Sequence, residues 1–201
     1  NNPSRNQGIA AFKNGNYQQA ANLFPQAIKA NQNDPEVVIY YNNARARQQG
    51  SPFTLAVVVP IVQGTNSNDD QEILRGVAQA QNQFNNNKGL NKRFLEIVIA
   101  NDDNTKSAQQ VAQQLVKDNS ILGVIGHNSS DATQEALPEY EKASLAIISP
   151  TATSILLKSS VFFRAVYSDQ VTGTKLAEYT FNNLKLKRAV IFANLNSPYS
   201  N

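Results

Sequence analysis

Three short segments of this chain gather side chains able to bind or react. Asn101-Asp102-Asp103-Asn104-Thr105 sets two carboxylates side by side. A phospho-acceptor pocket would need a further acid after the third apolar run, and that run ends in Gly126-His127 instead. Capping of a helix that starts near Thr105 is the expected job of these residues. Gly126-His127-Asn128-Ser129-Ser130-Asp131-Ala132-Thr133 carries hydroxyls into a predicted helix start. Free N–H groups and the positive end of a helix dipole there can hold a carboxylate; the alternative is that Ser129 or Ser130 is an N-cap. His127 stands next to Ser129 in a chain with no GxSxG elbow, so it is expected to be structural or a loop contact. Ser149-Pro150-Thr151-Ala152-Thr153-Ser154 forms a second hydroxyl-rich turn, opened by Pro150, which biases Ser149 away from helical geometry. Two such turns side by side suit a small zwitterion: N–H and hydroxyl donors for a carboxylate, carbonyls and a hydroxyl acceptor for an ammonium.

Other chemistries lack their residues. With Cys 0 and His 1 in 201 residues, thiolate nucleophiles, disulfides and zinc sites needing two imidazoles are excluded. The loop from Pro60 to Asp70 holds a single glycine, Gly64, and fits neither GxGxxG nor a P-loop. No enzyme activity, cofactor or metal is expected. The net charge of +3 is spread thinly, and Lys185, Lys187 and Arg188, the densest basic stretch, read as a solvated helix end, so no nucleic-acid partner is expected. No apolar run approaches the ~20 residues of a membrane span. The chain holds Met 0, which leaves room for an export signal or tether upstream.

Elements that must position these residues follow from hydropathy. Runs rich in Val and Ile at Phe53 to Val59, Phe94 to Ala100, Ile121 to Ile125, Leu145 to Ile148 and Ala189 to Ala193 read as strands buried on both faces, with a further one at Val161 to Val166. Amphipathic helices separate them: one with Ile73, Val77, Ala80 and Phe84 inward, the next with Ala108, Val111, Ala112, Leu115 and Val116 inward. This alternation predicts an α/β fold, a doubly wound parallel sheet with right-handed crossovers. Ligands of such sheets gather beyond the carboxyl ends of the strands, where the hydroxyl-rich turns lie.

Residues 1–50 read differently. Tyr17, Ala20, Ala21, Phe24, Ala27 and Ile28 recur at helical spacing, and Asp34-Pro35 starts another helix. The order Gly8, Gly15-Asn16-Tyr17, Ala20, Phe24, Ala27, Asp34-Pro35 resembles one tetratricopeptide (TPR) repeat. One repeat plus one helix is too short for a solenoid and must pack on something else. Gln48-Gln49-Gly50-Ser51-Pro52 is the linker.

From Phe53 onward the chain resembles the leucine/isoleucine/valine-type periplasmic binding proteins, a type I solute-receptor family of ABC transporters. The resemblance rests on Glu72-Ile73-Leu74-Arg75-Gly76, the Asp102-Asp103 turn, Val124-Ile125-Gly126-His127 with Ser129-Ser130, Ile147 to Thr153, Phe162-Phe163-Arg164 and Asp169-Gln170. The TPR-like preface is similar to a cyanobacterial form of these receptors, often tethered to the membrane. The resemblance implies residues 51–166 as a first ligand-binding lobe and 167–201 as the start of a truncated second one. It also implies that Ser130, Thr151 (through its backbone) and Thr153 hold an amino acid's carboxylate and ammonium, beside Asn128 and Ser129, with Tyr199 as an aromatic contact from the second lobe. The polar Thr65 to Asp70 stretch departs from the resemblance, standing where the family usually has small and aromatic residues.

The implied function is a periplasmic receptor, tethered to the inner membrane by a preceding segment, that binds an amino acid or small carboxylate and delivers it to an ABC permease. In the family a second lobe supplies an acid for the ammonium. A micromolar site is worth about 8 kcal/mol, and loss of half its contacts leaves roughly 4, which is millimolar affinity. Millimolar binding and self-association through the strand near Arg188 to Ala193 are therefore expected of this chain. The rival readings are a ligand-sensing domain and a TPR-type interaction scaffold.

Overall fold

A computed structural model describes residues 2–61, 68–103, 107–195, 197 and 199–200. Three helices open the chain: α1 (Pro3–Lys13), α2 (Tyr17–Ala30) and α3 (Pro35–Gln49). Asn2, Asn16 and Asp34 cap them through side-chain oxygens. Ala11, Ala20, Phe24, Ala27, Val37 and Ala44 form their shared core. Gly8 is small for a packing reason, since a Cβ there would lie 2.7 Å from the Phe24 ring.

The rest alternates as β1 (Phe53–Val59), α4 (Asn68–Asn86), β2 (Leu95–Asn101), α5 (Ser107–Leu115), β3 (Ile121–Ile125), α6 (Ser130–Lys142), β4 (Ile147–Ser149), β5 (Phe162–Arg164) and α7 (Asp169–Asn182). The five strands form one sheet in the order β2-β1-β3-β4-β5, with every pairing parallel. Helices α5 and α6 cover one face through Ala56, Val58, Val124 and Ile147; α3 and α4 cover the other through Val57, Val59 and Ile97. The sheet is therefore doubly wound, as its alternating pattern predicts. Its strand order reverses between β1 and β3, the switch point at whose carboxyl ends ligands collect.

Three differences from the sequence reading have physical causes. The inward stripe of α4 is Leu74, Val77, Ala78, Gln81 and Asn85, while Ala80 is exposed. Polar residues belong in that stripe because α4 meets the outer edge of β2, where backbone groups need partners. Asn85 accepts from Leu95 N–H at 2.7 Å and donates to the Leu95 carbonyl at 3.0 Å. Second, β4 starts at Ile147: Leu145 N–H is spent on the Tyr140 carbonyl at the end of α6, 2.9 Å away. Third, Ala189 to Ala193 forms no strand. A strand exists by pairing, and none of the described residues pairs with this stretch, whose Val190, Ile191 and Phe192 are 79%, 88% and 94% exposed.

The helical preface does pack on the α/β part. Asn43 of α3 donates to the Ile97 carbonyl at 2.8 Å and accepts Ile97 N–H at 2.9 Å, while Ile39 is fully buried with Val57 and Val59. Arg47 of α3 reaches the buried Glu96 of β2 at 2.5 Å. Helices α3 and α4 thus close the sheet edge that β2 would otherwise expose.

Candidate functional site

The third and fourth strands deliver their loops to the same edge of the sheet, and the hydrophobic core fixes them there. Gly126 directly follows β3 with φ +135, close against β1: a Cβ would lie 2.6 Å from the Val58 carbonyl oxygen. Only glycine fits that approach. His127 then turns inward and is fully buried. Its Nδ1 meets Asp102 Oδ2 at 2.5 Å, and its Nε2 meets the Tyr140 hydroxyl at 3.0 Å. The arrangement that satisfies all three has Tyr140 donating to Nε2 and Nδ1–H donating to the carboxylate. Burial, then the Asp102 charge, push the Tyr140 phenol well above its ordinary range. Asp102 therefore anchors the β3 loop. Asp103 does engage the α5 start, accepting from Ser107 Oγ at 2.6 Å. Asn104, Thr105 and the loop residues 62–67 lie outside the described residues.

After this anchor the chain surfaces. Ser129 is the N-cap of α6, accepting Ala132 N–H at 3.0 Å. Ser130 is the first helical residue; its buried hydroxyl accepts Ser154 N–H at 3.2 Å and keeps a proton to give. The N–H groups of Ser130 and Asp131 have no partner among the described residues. They stand at the positive end of α6, the place for an anion. From β4, Ser149 Oγ donates to the His127 carbonyl at 2.8 Å and accepts Ala152 N–H at 2.9 Å, so it ties the two loops together. Thr151 Oγ1 donates to the Asn128 carbonyl at 2.5 Å. Its own N–H makes only a long, 3.4 Å contact with Ser149 Oγ.

These residues enclose a cleft of about 270 Å³ lined by Asn128, Ser129, Ser130, Asp131, Thr151, Ser197 and Tyr199. Five of the six residues expected to bind ligand thus come together. Thr153 does not line the cleft. Its carbonyl accepts from Arg164 at 2.7 Å, and its Oγ1 is buried with no partner among the described residues. Sequence reasoning missed Asp131 and Ser197, whose hydroxyl lies 3.2 Å from each Asp131 carboxylate oxygen. The acid directly after Ser130 was the available signal. An adjoining apolar hollow of about 460 Å³ shares Thr151 and is walled by Ile73, Val77, Ile125 and Pro150. A larger hollow, about 580 Å³, lies among α1, α2 and α3, but the one guanidinium in it, Arg5, is already taken by Asp34 and Glu36. No group of metal ligands occurs among the described residues.

Comparison with known proteins agrees with this architecture. The "Periplasmic binding protein" family model matches residues 52–201. The chain is 30% identical over 132 residues to an amino acid binding protein of Pseudomonas aeruginosa, covering 64% of this chain and 35% of that protein. It is 33% identical over 126 residues to the Leu/Ile/Val-binding protein of Escherichia coli K12, covering 61% of this chain and 34% of the relative. It therefore spans about a third of the length of these curated relatives. Among solved structures, an ABC transporter substrate-binding protein from Desulfitobacterium hafniense in complex with Leu superposes with a TM-score of 0.59 at 26% identity, over 66% of this chain and 39% of that one. A branched-chain amino acid transporter substrate-binding protein from Streptococcus pneumoniae shares the fold, with a TM-score of 0.64 at 21% identity over 75% of this chain and 44% of that one. Parallel sheet, strand-end cleft and family match lead to one assignment: the chain belongs to the periplasmic binding protein family.

Proposed function

We propose that this chain carries the first half of the binding site of an extracytoplasmic solute receptor. The receptor takes an amino acid, branched-chain or otherwise small and aliphatic, in the periplasm and delivers it to an ABC permease. One observation carries the reading: Asn128, Ser129, Ser130, Thr151 and Tyr199 converge on a single cleft at the carboxyl edge of the sheet, over the start of α6. The ligand carboxylate docks on the unpaired N–H groups of Ser130 and Asp131 and on the Ser130 hydroxyl. The Asn128 and Thr151 oxygens face its ammonium. The apolar hollow beside Thr151 is of a size to take an aliphatic side chain. The names of the relatives, which bind leucine, isoleucine and valine or amino acids, support the same ligand class.

A site with these contacts alone holds ligand at millimolar concentration. Titration of the 201-residue chain with leucine to tens of millimolar, followed by amide NMR, tests the proposal. Saturable shifts centred on Ser129, Ser130 and Thr151 are expected. Shifts confined to the α1–α3 hollow, or none, would refute it.

A further inference from the structure

The cleft holds an acid that neither the hydroxyl pattern nor the relatives' names single out. Asp131 is the second residue of α6 and, among the described residues, supplies the one charged side chain that lines the cleft. Its carboxylate is turned toward Ser197 on the opposite wall, with Ser197 Oγ 3.2 Å from both oxygens. A single hydroxyl proton serves one of those oxygens at a time, so lone pairs remain open to a cation. Backbone capping does not consume the group either, because the α6 cap is provided by Ser129.

Resting on the receptor reading above, we propose that Asp131 makes the cleft selective for zwitterions by pairing with the ligand's ammonium and repelling carboxylates that carry none. Two physical facts lead there. The donors for a ligand carboxylate are neutral: backbone N–H groups and the Ser130 hydroxyl, with no Lys or Arg among the lining residues. A plain carboxylate entering beside Asp131 therefore meets a like charge, and among the described lining residues only the α6 dipole opposes that repulsion. A zwitterion places its carboxylate on the α6 start and its ammonium on Asp131, satisfying both ends at once. Specificity comes as much from the repelled competitor as from the favoured ligand.

The test compares leucine with 4-methylpentanoate, the same side chain and carboxylate without the amine, on the 201-residue chain by amide NMR titration. A preference for leucine of roughly three- to fivefold is expected, the upper scale of one exposed ion pair. In Asp131→Asn and Asp131→Ser it should fall to within about twofold, with leucine weakened and 4-methylpentanoate strengthened. Equal binding of the two ligands by the unaltered chain, or a preference that survives both substitutions, overturns the inference and leaves the receptor reading standing. Absence of any shift at Ser129, Ser130 and Thr151 with either ligand removes both. Asp131 is exposed, and unchanged resonances for buried Val57, Val58 and Ala112 would show that the variants keep the fold.

Discussion

His127 Nδ1 lies 2.5 Å from Asp102 Oδ2, and both side chains are fully shielded from solvent. The pair joins the end of β2 to the end of β3, and Tyr140 extends it into α6. Three elements that must be aligned for the Asn128–Ser130 loop to form a binding edge are locked by one chain of hydrogen bonds. Such buried polar chains define one arrangement when every member is satisfied.

The Tyr140 phenol gives this lock a pH signature. Its proton is held above the ordinary value of 10.0 by burial first and by Asp102 second. The unfolded chain gives up that proton near pH 10 while the folded chain keeps it, so the native state binds more protons and stability falls as pH rises. The contribution is complete below pH ~10 and fades above it at about 1.4 kcal/mol per pH unit. Urea melts should show Tyr140→Phe less stable at pH 7 by about 1 kcal/mol, for the lost bond to His127, yet with a shallower decline between pH 10 and 11.5. An identical alkaline decline in both proteins would count against a protonated, buried Tyr140.

Asn43 should matter more than any exposed residue of the preface. Replacing it with Ala leaves the N–H and carbonyl of Ile97 unpaired in a buried setting and deprives Gln81 Nε2 of its 2.7 Å partner. Each orphaned group costs about 1–3 kcal/mol, so a loss of about 3 kcal/mol is expected in chemical denaturation. Asn22→Ala, on the surface of α2, should change stability by less than about 0.5 kcal/mol. Comparable effects would mean that α3 does not close the β2 edge.

The stretch from Ala189 to Ala193 has strand-forming residues, no strand partner among the described residues and an exposed apolar run. Pairing between copies is the expected outcome for an exposed apolar run of this kind. Sedimentation at rising concentration should show reversible association, abolished by Ile191→Lys. A concentration-independent monomer before the substitution would rule out the pairing.

Much of the fold is legible in the residues because both faces of the sheet are apolar: β1 and β3 fall on the runs Phe53–Val59 and Ile121–Ile125. The legible part of the site is its hydroxyl pattern, since Ser129, Ser130 and Thr151 follow strand ends directly. What could not be read depends on long-range contacts. Gln81 and Asn85 look like surface residues of a helix until β2 is seen to need edge partners, and the tie from Asp102 to His127 shows only once the two strand ends lie side by side. Asp131 and Ser197, 66 residues apart, face each other only once the tail crosses the cleft.

In the proposed site an amino acid's carboxylate binds at the start of α6. The most direct test is a crystal structure of the chain grown with leucine well above the millimolar range. Density for the carboxylate is expected within hydrogen-bond distance of Ser130 Oγ and the N–H of Asp131, with the ammonium toward the Asp131 side chain. Leucine bound elsewhere, with the cleft between Ser130 and Tyr199 holding only water, would contradict it.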